Sequence, residues 1–157
     1  MTSTTLQPIN AADLPELGQP LDGAILAARY WLNGQQRTLE LLPDEITGAW
    51  GEYGQNLAGA NHYSDGYSNT VAMAEAGSEI AKKALEAGGF IPACLEGQLL
   101  MAAKHLGLIT LPDRYHWMST QCSADYAYIM DFELGWQLIF DKDGERPVRP
   151  VRSRIIQ

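Results

Sequence analysis

Strand-like apolar runs occupy Ala24 to Leu32 and Gln36 to Leu42. They are separated around Asn33-Gly34, the dipeptide that best tolerates the positive φ angles of a tight hairpin turn. From Asn69 the apolar or small positions Met73, Gly77, Ile80, Ala81, Ala84 and Leu85 recur at helical spacing. Ser68 or Asn69 can cap the start and Gly88-Gly89 ends the run, which predicts one helix of roughly five turns. A second helix is expected from about Leu95 to Leu106, with Leu95, Leu99, Ala103 and Leu106 on one face and Gly107 at its end. The tail returns to short strands around Trp117 to Gln121, Ala127 to Phe132, Trp136 to Phe140 and Val148 to Ile155, with turns at Glu133-Leu134-Gly135 and Lys142-Asp143-Gly144.

Between these elements the pattern changes character. Residues 1 to 21 carry Pro8, Pro15 and Pro20 with few large apolar residues and are expected to form an extended arm or linker, leaving 22 to 157 as one domain. Pro43 to Gly66 is turn chemistry pinned by aromatics, and no regular element is expected there. A hairpin, two helices and then antiparallel strands make an α+β domain with two helices packed on a small twisted antiparallel sheet.

The chain has 157 residues, 46% of them hydrophobic and 19% charged, the size and composition of a single soluble domain. No apolar stretch approaches the roughly 18 residues of a membrane span, and Met1-Thr2-Ser3-Thr4-Thr5 has neither half of a signal peptide. Membrane insertion is therefore not expected. Residues 1 to 81 hold ten acids against Arg29 and Arg37 and so carry the whole net charge of −8, while the remainder holds nine of each sign. This acidity argues against nucleic acid as a partner. Only the carboxyl end is basic, with Lys142, Arg146, Arg149, Arg152 and Arg154. These either pair with the acidic first half of the chain or face an acidic surface elsewhere.

Candidate chemistry is sparse. His62, His105 and His116 show no metal-ligand spacing and are expected at the surface or as satisfied core residues. Cys94 and Cys122 are too few for a disulfide framework, and each has the small or apolar neighbours of a buried thiol. Glu75 and Glu79, four apart and followed by Lys82 and Lys83, suit a solvated helix face. In the loop Asn61 to Asn69, one carboxylate, Asp65, is thin for calcium, so Asx and Ser side chains are expected to cap turns instead. There is no Gly-rich phosphate loop and no nucleophile elbow. Neither metal nor cofactor is expected.

Several motifs in order resemble one family. They are Trp50-Gly51-Glu52-Tyr53-Gly54, Asp65-Gly66-Tyr67-Ser68-Asn69-Thr70, Ala72-Met73-Ala74-Glu75-Ala76-Gly77-Ser78, Ile91-Pro92, Trp117-Met118-Ser119-Thr120-Gln121, Asp131-Phe132 with Gly135, and Val148-Arg149-Pro150-Val151-Arg152. From about Gly23 to Arg152 the chain resembles the Lcl C-terminal domain-like proteins, a C-type-lectin-like group frequent in tailed phages and prophages. The segment before Trp117 is shorter than in many relatives. The usual Pro-Ser-Arg-Asp-Glu-Leu pattern reads Pro92-Ala93-Cys94-Leu95-Glu96-Gly97, which weakens the claim to a polar network shared with the family there.

The resemblance implies a C-type-lectin-like fold with neighbouring termini and a carboxyl-terminal hairpin that displays side chains. On that hairpin Trp136, Leu138 and Phe140 alternate onto one face while Gln137 and Ile139 take the other. Either both faces are packed, or Trp136, Leu138 and Phe140 join Tyr126 and Ile129 in an exposed partner-binding patch. The expectation is a non-enzymatic bacteriophage virion protein, made in the host cytoplasm and associated with the tail. It would bind a host-surface receptor, glycan or protein, or another tail or virion protein, with homo-oligomerisation left open. The alternatives are a structural or decoration subunit, or an intracellular phage factor in assembly or anti-defence.

Overall fold

The computed structural model describes residues 6–157. The chain is α+β, with β1 (Pro20–Leu21), β2 (Ala24–Leu32), β3 (Gln35–Leu41) and β4 (Ile46–Ala49) before the helices. Then come α1 (Gly66–Glu75), α2 (Glu79–Glu86) and α3 (Cys94–His105), followed by β5 (Tyr115–Gln121), β6 (Tyr126–Asp131), β7 (Gln137–Asp141), β8 (Glu145–Val148) and β9 (Val151–Arg152). The strands form three antiparallel groups, β1-β2-β3-β9, β4-β8 and β5-β6-β7.

The hairpin turn falls where the sequence places it. Asn33 and Gly34 both take positive φ, 52° and 76°, matching the right-handed twist of the strands they join. Three helices are found where two are expected. The predicted five-turn helix starts earlier, at Gly66, because the Asp65 carboxylate caps it by accepting from the Ser68 N–H. It then breaks at Ala76-Gly77-Ser78. Gly77 adopts a φ of +98°, a conformation that ends a helix, and the Ser78 hydroxyl caps α2. Glu75 and Glu79 therefore lie on different helices rather than on one face.

α3 is rotated from the expected stripe. Its buried residues are Cys94, Glu96, Gly97, Leu100 and Ala103, while Leu106 is 71% exposed. A Cβ at position 97 would fall 2.4 Å from the Met118 sulfur, so glycine lets the helix lie close on β5. Two further strand assignments change. Ile46–Ala49 is a strand within the expected loop because it pairs with β8, about 100 residues away. The predicted strand Val148 to Ile155 is interrupted at Arg149-Pro150, so that β8 joins β4 while β9 joins β3.

The sheet β5-β6-β7 lies between two apolar clusters, and its residues alternate between them. Trp117, Ala127 and Ile129 pack with Trp50, α1, α2 and Val148. Met118, Met130 and Phe132 pack with α3 and the β2–β3 hairpin. Residues 6–21 of the proline-containing segment run against the domain: Ile9 bridges Ile156, and the Ala11 N–H donates to the Gln157 carbonyl. Residues 1–5 of the expected arm lie outside the described residues. Among the described residues no helix is long and apolar enough to cross a membrane.

Candidate functional site: the β6–β7 hairpin face

In an antiparallel pair, residues directly opposite share a face. The register pairs Ile129 with Leu138 and Ala127 with Phe140, so Leu138 and Phe140 do lie on one face, over the Trp117 side of the sheet. Trp136 enters β7 on that face. Its carbonyl accepts from the Asp131 N–H at 2.8 Å, which closes the hairpin, and its side chain is 59% exposed. The turn is stiffened twice more: the Asp131 carboxylate accepts from the Glu133 N–H at 2.9 Å, and Met101 packs beneath Gly135.

Leu138 and Phe140 are half-buried against the core, with Phe140 5.7 Å from the Tyr115 ring. Arg146 on β8 lies over two of the aromatics of this region, 4.1 Å from the Phe140 ring and 5.6 Å from that of Trp117. Such stacking is worth about 0.5–2 kcal/mol depending on desolvation. The result is a surface of Trp136, Leu138, Phe140, Tyr115 and a stacked guanidinium. Tyr115 and Arg146 have no local sequence signal, because only the packing of β5 and β8 beside the hairpin brings them here.

Two of the expected residues do not belong to this surface. Ile129 is fully buried, filling the space between Trp117 and Leu138, because this sheet is covered on both sides. Tyr126 pairs with Asp141 on the opposite face, half-buried and edge-on to Tyr53 at 6.5 Å. That opposite face is apolar over Met118, Met130 and Phe132 and turns polar at the start of the edge strand β7. Gln137 donates to the Cys94 carbonyl, and Gln98 bridges Gln137 and the Tyr63 hydroxyl.

The basic carboxyl end is used internally. Arg152 and Arg154 bind Glu40, Arg154 also binds Asp22, and Arg149 donates to the Leu42 carbonyl. Lys142 is not a surface cation but fully buried, donating to the Gln55 carbonyl and Gln121 and lying 4.7 Å from the Trp50 ring. Burial pushes its ammonium down to about 8.

The remaining candidates take structural positions. Asp65 caps α1, Asn69 binds both backbone groups of His62, and Asn61 accepts from Gln121. Among the described residues no cluster of three metal-ligating side chains occurs. His62 and His105 are exposed, whereas His116 is buried edge-on to Phe132 and burial lowers its affinity for a proton. Cys94 is buried and its thiol is pushed up to about 11 by that burial, but Cys122 is exposed, contrary to the expectation for both thiols. The altered Pro-Ser-Arg-Asp-Glu-Leu segment holds a polar network of this chain's own. Glu96 accepts from the Gly66 and Ala93 N–H groups and from the Tyr30 hydroxyl, joining the starts of α1 and α3 to β2. No protein-family model, no curated protein and no solved structure matches this chain.

Proposed function

We propose that this chain is a non-enzymatic, tail-associated phage virion protein with a C-type-lectin-like fold. Its Trp136, Leu138 and Phe140 face, extended by Tyr115 and Arg146, binds a host-surface receptor or another tail protein. The observation that carries the binding reading is the exposed Trp136 on a braced hairpin, beside half-buried aromatics and a stacked arginine. Trp, Tyr and Arg are the side chains that dominate binding hot spots, and a rigid hairpin loses little conformational freedom on contact. The phage setting rests on the family resemblance of the ordered motifs.

Mass spectrometry of purified virions from the encoding phage, combined with adsorption competition by the isolated protein, tests the reading. The expected result is presence in the particle, competition by the wild-type protein, and loss of competition in the Trp136→Ser, Phe140→Ser double variant with an unchanged circular dichroism spectrum. Presence without competition moves the reading to a structural subunit, and absence from the particle overturns it.

A further inference from the structure

A second feature shares no residue with the hairpin face and is independent of that reading. Tyr30 and Arg37 are register partners in the β2–β3 hairpin, so they share one of its faces. Across from that face lie Phe90 and Tyr67, edge-on at 6.2 Å, and Leu85 at the end of α2. Together with the segment Ser153 to Ile155 they enclose a cavity of about 660 Å³. That volume is within the roughly 300–1,000 Å³ range of small-molecule sites.

The charges around the cavity are unequal in a way that selects a ligand. Arg152 and Arg154 line it, but Glu40 already engages both, with contacts of 2.7–3.1 Å. Arg37 differs: its Nε is buried without a partner, and its guanidinium makes no hydrogen bond or ion pair with any described residue. With Nε sealed, the two terminal nitrogens of this guanidinium, unpaired among the described residues, offer the planar donor fork that fits one carboxylate. Asp65, Glu86 and Glu96 also line the cavity, and their carboxyl groups disfavour a dianion such as a phosphate monoester more than a monoanion. The Tyr67, Phe90 and Leu85 walls supply an apolar seat for the rest of the molecule.

We propose that this cavity binds a small organic monocarboxylate with an aromatic body, its carboxylate on Arg37 and its ring between the Phe90 and Leu85 walls. The test titrates the full chain with indole-3-acetate and, separately, with the uncharged indole-3-acetamide, each followed by amide NMR shifts. The acetate is expected to move the signals of Tyr30, Arg37, Phe90 and Ile155 and to bind about tenfold tighter than the amide, the value of one charge-assisted bidentate contact. Arg37→Gln should abolish that preference while keeping a folded spectrum. Arg37→Lys, which keeps the charge but loses the fork, should retain part of it. Leu85→Trp should weaken both probes by filling the apolar seat. No shifts at the cavity, equal affinity for the two probes, or an unchanged preference in folded Arg37→Gln would each overturn the proposal.

Discussion

Two fully buried carboxylates anchor the amino-terminal hairpin, and they are compensated in opposite ways. Glu40 on β3 meets two guanidinium groups, Arg152 and Arg154, and also accepts from the Thr38 hydroxyl at 2.7 Å. Glu96 on α3 has no ion pair among the described residues. Its three donors are the Tyr30 hydroxyl and the backbone N–H groups of Gly66 and Ala93. Neutral donors offset less of the desolvation of a carboxylate than paired cations do, so burial wins and pushes the Glu96 carboxyl up to about 7. One buried acid is thus a charge clamp between strands distant in sequence. The other joins three elements and gains or loses its charge near neutral pH.

The largest effect is expected at the clamp. Glu40→Ala leaves two mostly buried guanidinium groups without their shared partner, while the backbone pairing of β9 with β3 remains, at a cost on the order of 3–5 kcal/mol. Urea denaturation measures it, and a loss near 1 kcal/mol would show that the arginines find solvent easily. Next comes the pH dependence at Glu96. Its folded-state value of about 7 lies above the ordinary 4.5, so the folded chain holds this proton more tightly than the unfolded one. The stabilisation is complete below pH 4.5 and is lost as the pH rises toward 7, a swing on the order of 3 kcal/mol. Subtracting the stability curve of Glu96→Gln, which does not titrate, from that of wild type isolates this slope; a flat difference between pH 4.5 and 7 would show that the folded chain ionises Glu96 as readily as the unfolded one.

The smallest effect is expected at an ion pair without burial. Lys82 and Glu79 lie 3.4 Å apart on the exposed face of α2. Lys82→Ala should change stability by less than about 0.5 kcal/mol, and by less still in 1 M salt. A larger, salt-insensitive loss would mean that geometry rather than burial ranks these pairs.

The Asn33-Gly34 hairpin was legible because its signal is local, and so were the approximate positions of α3 and β5 to β7. The break at Gly77 was hidden because Met73, Ile80, Ala81 and Ala84 keep helical spacing across it, and all four enter one core. β4 was hidden because its partner, β8, is distant in sequence. At the hairpin, alternation identified the shared face of Leu138 and Phe140. It could not distinguish buried Ile129 from exposed Trp136, since both lie on that one face and differ only in place, Ile129 on the central strand β6 and Trp136 at the entry to the edge strand β7. The cavity was not legible at all, because Arg37, Tyr67, Phe90 and Ile155 meet only through the tertiary fold.

The pairing of β3 with β9 also constrains the order of assembly. The β2–β3 hairpin needs only its own turn, and such hairpins form within about 1–10 μs. The Arg152 contact with Glu40 spans 112 residues, and Ile9 must find Ile156 before the sheet is finished. The entropy of closing so long a loop is lost before its contacts form, so the arrival of the last strand is the step expected to be slow, and a β9-truncated chain is expected to lose that phase in stopped-flow refolding. Until then the hydrogen-bonding edge of β3 is open, and a second chain's β9 could occupy it. At high concentration, refolding therefore competes with strand exchange between molecules at this edge.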